Sequence, residues 1–392
     1  MAQTSIVKVT TAPAQQSFNP IIEGLKAEST VTPVKFDPEK HLAFTPPSEI
    51  IQMKDIGYGE HIGISPVAVS QPFPLFTKEA VEQMRAEILN PKVMEEHGVQ
   101  SNIAACQIRG YASKYAPFAY DAWNHPATLE IVSKIAGVEL TPVIDYEIGH
   151  INLSVKSDKE TQEELAAISR QKRYFAEDEG IAGCPWEDDK PVVGWHEDSY
   201  PFVCVLMLSD CTNMVGGETA LYTGDRKNIL KVRGPQMGCA VVMQGRYIAH
   251  QALRALGAKE RITSVTSFRP KDPTLADDAV LSTIRGISDV AEVYYQYGEY
   301  RLEILEERIR AKLKAIRRQH AAGRKFDERS FKAFLQEQEK FLQATDKEVV
   351  EYENVVPGHI AWLDLPNAVV GDDAANGSVA NGNSHPVKRV KT

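Results

Sequence analysis

The sequence GWHEDSYPFVCVLMLSD at residues 194–210 decides the fold. Its second half is a short apolar run ended by Ser and Asp, which predicts a buried strand. His196 and Asp198 lie two residues apart just before that run. Residues i and i+2 of an extended strand point to the same face, so an imidazole and a carboxylate converge there. The stretch therefore predicts a metal site beside a buried strand.

A β-rich sequence pattern extends on both sides of this stretch, over residues 139–270. Short runs rich in β-forming residues alternate with Gly, Asp and Asn, as in ELTPVIDYEIGHINLSV, ETALYTG, GCAVVMQ and RITSVTSF. Several short strands separated by turns are typical of a sandwich or jelly roll. Since helical patterns flank this segment on both sides, we predict an α+β fold with its β-rich core at residues 139–270.

The flanking segments differ in composition from the core. Residues 1–45, rich in Thr, Pro, Gln and Ser, predict an extended N-terminal arm. Residues 46–138 predict a helical flanking region, with helices beginning near Thr77 and near Pro126. Residues 155–193 are polar and predict an insertion in the core that begins with a helix and continues as a loop over the site.

The C-terminal part returns to a helical pattern. Residues 271–350 predict a helical extension, and residues 351–392 a final segment with a flexible tail whose KRVK cluster resembles a nuclear-import signal. A near-heptad apolar stripe runs through the extension, formed by Leu302, Leu305, Ile309, Leu313 and Ile316. Core packing and the seam of a homodimer are the two interpretations of this stripe.

Composition limits the classes of partner. The chain has 392 residues, 43% hydrophobic and 25% charged, with a formal net charge of -9 and a pI near 5.7. A net negative charge favours neither nucleic acid nor an anionic membrane surface as a partner, so a small-molecule substrate is expected. The five cysteines are scattered without a CxxC pair, and no signal peptide or membrane span is evident. We therefore expect reduced thiols and a cytoplasmic protein.

A third metal ligand is needed, and His250 in YIAHQAL is the candidate. Two histidines and one carboxylate leave three coordination positions open and suit Fe(II). Arg261 and Thr263 follow on a predicted strand, where residues two apart share a face and can bind a carboxylate. GGET at residues 216–219 predicts a tight glycine turn between the two histidine segments.

This spacing carries a family resemblance. His196-x-Asp198, then 51 residues, His250, ten residues and Arg261-x-Thr263 resemble the HxD…H…RxS pattern of the isopenicillin N synthase-like and related 2-oxoglutarate-dependent oxygenases. Thr263 replaces the usual serine and keeps the hydroxyl. The phrases DYEIGHINLSV, GWHEDSYPFVCVLMLSD and GRYIAHQALRA resemble fungal oxygenases of natural-product pathways, some of which act on amino acids, including one that closes an aziridine ring on valine.

The resemblance implies a double-stranded β-helix that binds Fe(II) and 2-oxoglutarate and uses dioxygen. His196, Asp198 and His250 would hold the metal, and Arg261 with Thr263 would hold the distal carboxylate of 2-oxoglutarate. The keto acid would be decarboxylated to succinate while a small-molecule substrate undergoes hydroxylation, desaturation or ring closure. The protein would fix the geometry and exclude water.

Four further residues are candidates for the pocket. His150 and Asn152 lie two apart on a predicted strand; we interpret the histidine as a supporting group and Asn152 as a binder of the co-substrate. Arg269 shares a strand face with Arg261 and could bind a substrate carboxylate or form a surface ion pair. Tyr200, close to Asp198, is a candidate for the wall of the substrate pocket.

Three rival functions remain open at this point. In an isopenicillin N synthase-like oxidase, Arg261 would bind the substrate's own carboxylate without 2-oxoglutarate, and succinate formation separates the two. A zinc hydrolase or lyase with the same ligands would not need oxygen. A non-catalytic jelly-roll binding protein would not bind Fe(II) stoichiometrically.

Overall fold

The computed structural model describes residues 34–102, 104, 106–174, 191–212, 214–232 and 236–360. Much of the predicted N-terminal arm, the loop after residue 174 and the KRVK tail lie outside these residues. Among the described residues, no helix combines the length and low polarity needed to cross a membrane. No disulfide joins the described cysteines, which are Cys106, Cys204, Cys211 and Cys239.

The strands of the described residues lie between Ile50 and Pro270. Their bounds are β1 (Ile50–Gln52), β2 (Val67–Ser70), β3 (Phe73–Pro74), β4 (Gly98–Val99), β5 (Gln107–Ile108), β6 (Leu140–Pro142), β7 (His150–Val155), β8 (Pro191–His196), β9 (Phe202–Met207), β10 (Val215–Gly216), β11 (Thr219–Tyr222), β12 (Ile229–Val232), β13 (Cys239–Met243), β14 (His250–Leu253), β15 (Ala255–Leu256) and β16 (Glu260–Pro270). The flanking region before residue 139 thus contributes strands as well as the predicted helices.

Helices flank the strands on both sides in sequence. Their bounds are α1 (Pro38–His41), α2 (Lys78–Ile88), α3 (Pro91–His97), α4 (Ala112–Tyr115), α5 (Pro117–Asn124), α6 (Pro126–Ala136), α7 (Asp158–Tyr174), α8 (Val290–Ala321) and α9 (Glu328–Glu348), with 3-10 turns at Met53–Ile56, Asp145–Glu147, Arg285–Ile287 and Tyr352–Asn354. The Thr77 side chain caps α2 by accepting from the Ala80 N–H, and α6 begins at Pro126 and ends at the left-handed Gly137.

The core strands form two main antiparallel sheets and a short two-stranded sheet of β10 and β15. The larger has the order β1-β2-β13-β9-β16-β7-β5-β4, and the smaller has the order β12-β11-β14-β8. From β7 to β16 the chain crosses repeatedly from one sheet to the other, an order consistent with a jelly roll. Large antiparallel sheets with flanking helices confirm the α+β class.

Each central strand packs on both faces. On β9, Phe202, Cys204 and Leu206 belong to the apolar cluster that includes the side chains of α2, α5 and α6. Val203 and Val205 point the other way, into a second cluster with Leu221 of the smaller sheet. This period of two explains the continuous apolar run in the sequence, because both faces of β9 are covered.

The long helix α8 corrects one interpretation of the sequence. Its buried residues are Val293, Tyr297, Tyr300, Arg301, Ile304 and Arg308. Three members of the predicted stripe are exposed instead, with exposed fractions of 62% for Leu302, 49% for Ile309 and 43% for Leu313. Core packing of the whole stripe was therefore the wrong interpretation.

Candidate metal centre

The three predicted ligands meet where two strands of the smaller sheet pair. His196 is the last residue of β8, His250 is the first residue of β14, and the two are cross-strand partners. Asp198 lies two residues beyond the end of β8, and its backbone N–H donates to the Gly245 carbonyl at 2.9 Å. This backbone bond ties the carboxylate-bearing turn to the segment that leads into β14.

The ligand atoms face one another at distances suited to a metal ion. Nε2 of His196 lies 3.5 Å from Oδ1 of Asp198, and Nε2 of His250 lies 3.5 Å from Oδ2. One ligand atom from each residue falls within 4.8 Å of the others. Ligands about 2.1 Å from a shared ion are separated by roughly 3 Å when adjacent, so the set fits one small cation after slight contraction.

Backbone carbonyls select the tautomer of both imidazoles. Nδ1 of His196 lies 2.7 Å from the Gly194 carbonyl, and Nδ1 of His250 lies 2.8 Å from the Ile248 carbonyl. Because a carbonyl only accepts, Nδ1 carries the proton and the lone pair of a neutral ring is on Nε2. In the neutral rings, two lone pairs thus face carboxylate oxygens, an arrangement that a cation between them would stabilise.

Gly245 leaves the space that the Asp198 carboxylate occupies. A Cβ added at Gly245 would lie 1.7 Å from Oδ2 of Asp198 and 2.7 Å from its Cγ. Oδ2 is buried and has no hydrogen-bond partner among the described residues. A buried carboxylate oxygen without a donor is costly, so this oxygen fits a role as a ligand to a bound cation.

The three ligands influence one another's ionisation. Burial lowers the pKa of His250 to about 4, although the charge of Asp198 acts in the opposite direction. Burial also disfavours the charged form of His196, but its hydrogen bond to Asp198 and that charge outweigh burial and raise the pKa. Burial opposes ionisation of Asp198, yet the facing imidazoles, His250 first, lower its pKa. The site is therefore held as a carboxylate with at most one charged imidazole near neutral pH.

Arg261 and Thr263 lie on β16 and are both buried, with exposed fractions of 6% and 2%. Thr263 pairs with Asn152 of β7, and Arg261 pairs with Ser154. The Arg261 Nε is buried without a hydrogen-bond partner among the described residues, and it would lie 3.6 Å from a Cβ added at Gly217 in the GGET segment. The predicted glycine turn thus lies against the predicted carboxylate binder.

A polar group lies beside Thr263 on the same face of the larger sheet. Gln107 of β5 donates to Oδ1 of Asn152 at 2.8 Å, and Nε2 of His150 lies 3.3 Å from the same oxygen. Burial, followed by the nearby Arg109 charge, lowers the pKa of His150 to about 3, and Asp198 and His196 are close enough to contribute. His150 is therefore a neutral group near the ligands, in keeping with a supporting role.

Tyr200 and Arg269 lie closer to the C-terminal helices. The Tyr200 hydroxyl is buried without a partner among the described residues, and burial, followed by the charge of Glu147, raises its pKa. The Arg269 guanidinium lies 5.3 Å from the centre of the Tyr300 ring on α8. Their roles as substrate-binding residues stay predictions.

The sequence interpretation missed Gly245, Gln107 and the buried ion pair between Arg109 and Glu147. The last pair is almost fully enclosed, with exposed fractions of 3% and 2%. Gly245 directly precedes the segment of His250, so a glycine near a ligand was the available signal. Gln107 lies on a two-residue strand before the predicted core, where no period is readable.

The chain matches no family model and no curated protein. Among solved structures, it is similar to a Pseudomonas putida prolyl-4-hydroxylase at 16% identity and a TM-score of 0.30, covering 50% of this chain and 88% of that chain. A Burkholderia pseudomallei oxidoreductase of the 2OG-Fe(II) oxygenase family has 15% identity and a TM-score of 0.29, and the alignment covers 44% of this chain and 71% of that chain. The epimerase SnoN from nogalamycin biosynthesis is described as non-heme and alpha-ketoglutarate-dependent. It has 13% identity and a TM-score of 0.32, and the alignment covers 50% of this chain and 74% of that chain.

Each of these three alignments spans about half of this chain. At these TM-scores, the functional interpretation rests on the side chains of the site itself.

Proposed function

We propose that this protein is an Fe(II)- and 2-oxoglutarate-dependent oxygenase with a double-stranded β-helix core, acting on a small molecule. The observation that carries the proposal is the convergence of His196, Asp198 and His250, with both Nε2 atoms facing the carboxylate. A two-histidine, one-carboxylate set leaves adjacent coordination positions free for a co-substrate and dioxygen.

The residues around the ligands fit a dicarboxylate co-substrate. Arg261 is buried, its Nε is unpaired, and it forms no ion pair with a described residue. Burial lowers the pKa of Arg261, and the nearby Glu218 charge offsets this only in part. An anionic ligand would therefore stabilise the guanidinium, with the Thr263 hydroxyl two residues away on the same strand. In this proposal Arg261 and Thr263 hold the distal carboxylate of 2-oxoglutarate, and Asn152 contributes a hydrogen bond.

The chain's own part in the reaction is to bind and orient the metal, the co-substrate and the substrate, and to exclude water from them. When bound, Fe(II) and 2-oxoglutarate supply the oxidising chemistry. The Gly194 and Ile248 carbonyls fix the two imidazoles, and Gly245 keeps the Asp198 carboxylate in place. His150, neutral because it is buried, adds no competing positive charge beside the ligands.

The substrate class is proposed from sequence resemblance. Three phrases that resemble fungal natural-product oxygenases favour secondary metabolism, and an amino acid is the substrate we would test first. Arg269 and Tyr200 would then line the substrate side. Hydroxylation, desaturation and oxidative cyclisation are the outcomes to distinguish by product analysis.

The first test is an anaerobic absorption spectrum of the protein with Fe(II) and 2-oxoglutarate. We expect a metal-to-ligand charge-transfer band that shifts when a candidate amino acid is added. The band should be absent in Asp198→Ala and retained in Asp210→Ala, which removes an exposed carboxylate bonded to Thr212.

Oxygen uptake and succinate analysis separate the rivals. Substrate oxidation with oxygen uptake but without succinate would indicate an isopenicillin N synthase-like oxidase. Turnover that is unchanged without oxygen would indicate a hydrolase or lyase. If the protein fails to bind Fe(II) stoichiometrically, the enzyme proposal is wrong and a binding protein is favoured.

A further inference from the structure

The helix α8 has two faces with different surroundings. One face is buried against the body and α9, where Arg301 donates to the Asp277 and Phe341 carbonyls and Arg308 donates to the Leu275 carbonyl. The other face carries exposed apolar side chains. Since 32 residues of α-helix span about 48 Å, the exposed face is long enough to form a contact surface.

The apolar side chains form a single row, here called the α8 stripe. It consists of Tyr295, Leu302, Ile309 and Leu313, with exposed fractions of 79%, 62%, 49% and 43%. The spacings of seven, seven and four residues place all four on one side of the helix. Large apolar residues repeated along one helix face are typical of a surface that packs against another helix.

A charged row runs beside the stripe on one flank. Its N-terminal half is acidic, with Glu299, Glu303 and Glu306, and its C-terminal half is basic, with Arg310, Lys314 and Arg317. All six residues are exposed, at spacings of three or four that keep them on one flank. Glu306 and Arg310 already form an ion pair within the helix, at the point where the sign changes.

This arrangement makes the surface complementary to itself when reversed. In an antiparallel pair of identical helices, the same flank of each lies alongside the other, so the acidic half of one meets the basic half of the other. In a parallel pair, that flank of one helix would lie beside the opposite flank of the other, so the two charged rows would not meet. A two-fold axis near residue 308 brings Leu302 of one copy close to Leu313 of the second copy, and Glu299 close to Arg317.

We propose that the α8 stripe and its charged row form an antiparallel, two-fold interface between two copies of this chain. The proposal is independent of the oxygenase assignment, because its residues are not part of the metal centre. A four-residue stripe buries less than the roughly 800 Å² per partner typical of stable complexes. The dimer should therefore dissociate on dilution and in high salt, which screens the charged row.

Sedimentation velocity over a concentration series tests the interface on the full chain. We expect the mass to rise from 43.5 kDa toward twice that value with concentration, more readily at low salt. Reversing the basic half with R310E/K314E/R317E, or the acidic half with E299K/E303K/E306K, should each raise the dissociation constant at least about tenfold. An equimolar mixture of the two variants should restore a dimer, because their flanks are complementary.

A matched control reverses three exposed lysines of α9, K332E/K340E/K347E, with the same change in net charge as the basic-half variant. It should dimerise as the wild type does. Cysteine cross-linking tests the antiparallel orientation of the two helices. A mixture of L302C and L313C should cross-link more than either variant alone. A wild type that stays monomeric at low salt and every soluble concentration overturns the proposal. A dimer that neither triple reversal weakens also overturns it.

Discussion

The inner face of the larger sheet has an apolar half and a polar half. Around β2, β9 and β13, the side chains that point toward the smaller sheet are Val69, Val203, Val241 and Met243. Around β5, β7 and β16, the same layer carries Gln107, Asn152, Thr263 and Arg261. One sheet therefore presents both a packing surface and a binding surface.

The two halves differ in how completely their atoms are satisfied. The apolar half is closed by Leu221 and Val232 from the smaller sheet. In and beside the polar half, Oε1 of Gln107, Nε of Arg261 and Oδ2 of Asp198 are buried without partners among the described residues. Unsatisfied buried polar atoms cost free energy, so the polar half destabilises the empty protein while the apolar half stabilises it. Ligand binding and stability should then respond to different substitutions.

The largest expected effect on the polar half comes from Gly245→Ala. The new Cβ would overlap Oδ2 of Asp198, so the carboxylate must move away from the imidazoles. We expect Fe(II) affinity, measured by anaerobic titration, to fall at least about a hundredfold. Gly298→Ala, where a Cβ meets no atom within 4 Å, should leave the affinity unchanged. Equal affinities for the two variants would mean that Gly245 does not position the ligand.

Arg261→Ala tests the carboxylate subsite of the polar half. Removing charge-assisted hydrogen bonds of about 1.5–3 kcal/mol should raise the KM for 2-oxoglutarate roughly tenfold to a hundredfold. Iron affinity should change little, because the ligands are untouched. Arg269→Ala should instead raise the KM for the substrate, and the KM for 2-oxoglutarate should stay unchanged. The reverse pattern would assign the substrate carboxylate to Arg261.

The pH dependence of iron binding reports the protonation of His196. Its pKa is raised in the free protein, so below that pKa the metal must displace one proton. Fe(II) affinity should fall about tenfold per pH unit on acidification below the pKa of His196 and level off above it. The pKa of His250 is about 4, so this residue adds protons only in stronger acid. Calorimetry in two buffers should count about one proton released, and a flat profile down to pH 5 would contradict this account.

The smallest effect on the site is expected from Val69→Ala in the apolar half. Val69 is fully buried, and truncation should lower the free energy of unfolding by about 2 kcal/mol through lost burial and a cavity. Denaturant unfolding measures that loss, and Fe(II) affinity at low denaturant should equal the wild-type value. A matching loss of iron affinity would show that the two halves are coupled rather than independent.

The sequence predicted what is local and missed what depends on distant contacts. His196 and Asp198 share one short segment, so their convergence follows from strand geometry. Joining them to His250 required the spacing pattern as well, because a cross-strand partner is not encoded by local period. Gln107 meets Asn152 only through pairing of β5 with β7, 45 residues apart in sequence. The hydrophobic periodicity of a sequence is local, so it does not predict a contact between distant strands.

The helix α8 shows a second limit. Its apolar period was correctly recognised, yet period alone does not say which face meets the body of the protein. Arg301 and Arg308 lie on the buried face because backbone carbonyls accept from their guanidinium groups. Leu302 and Ile309 are left outside. An arginine whose three guanidinium nitrogens each have an acceptor can thus take an interior position in place of a leucine.

The carbonyls that hold the two metal-binding imidazoles belong to Gly194 and Ile248, each two residues before the histidine it orients. Each ring is therefore oriented by the backbone directly before it, and its rotational freedom is lost when that backbone is ordered. The entropy of ordering these rings is thus a cost of folding and not of metal capture. A metal arriving at the free protein would meet a prepared site, so its association should be limited by the departure of water and a proton and not by rearrangement of the chain.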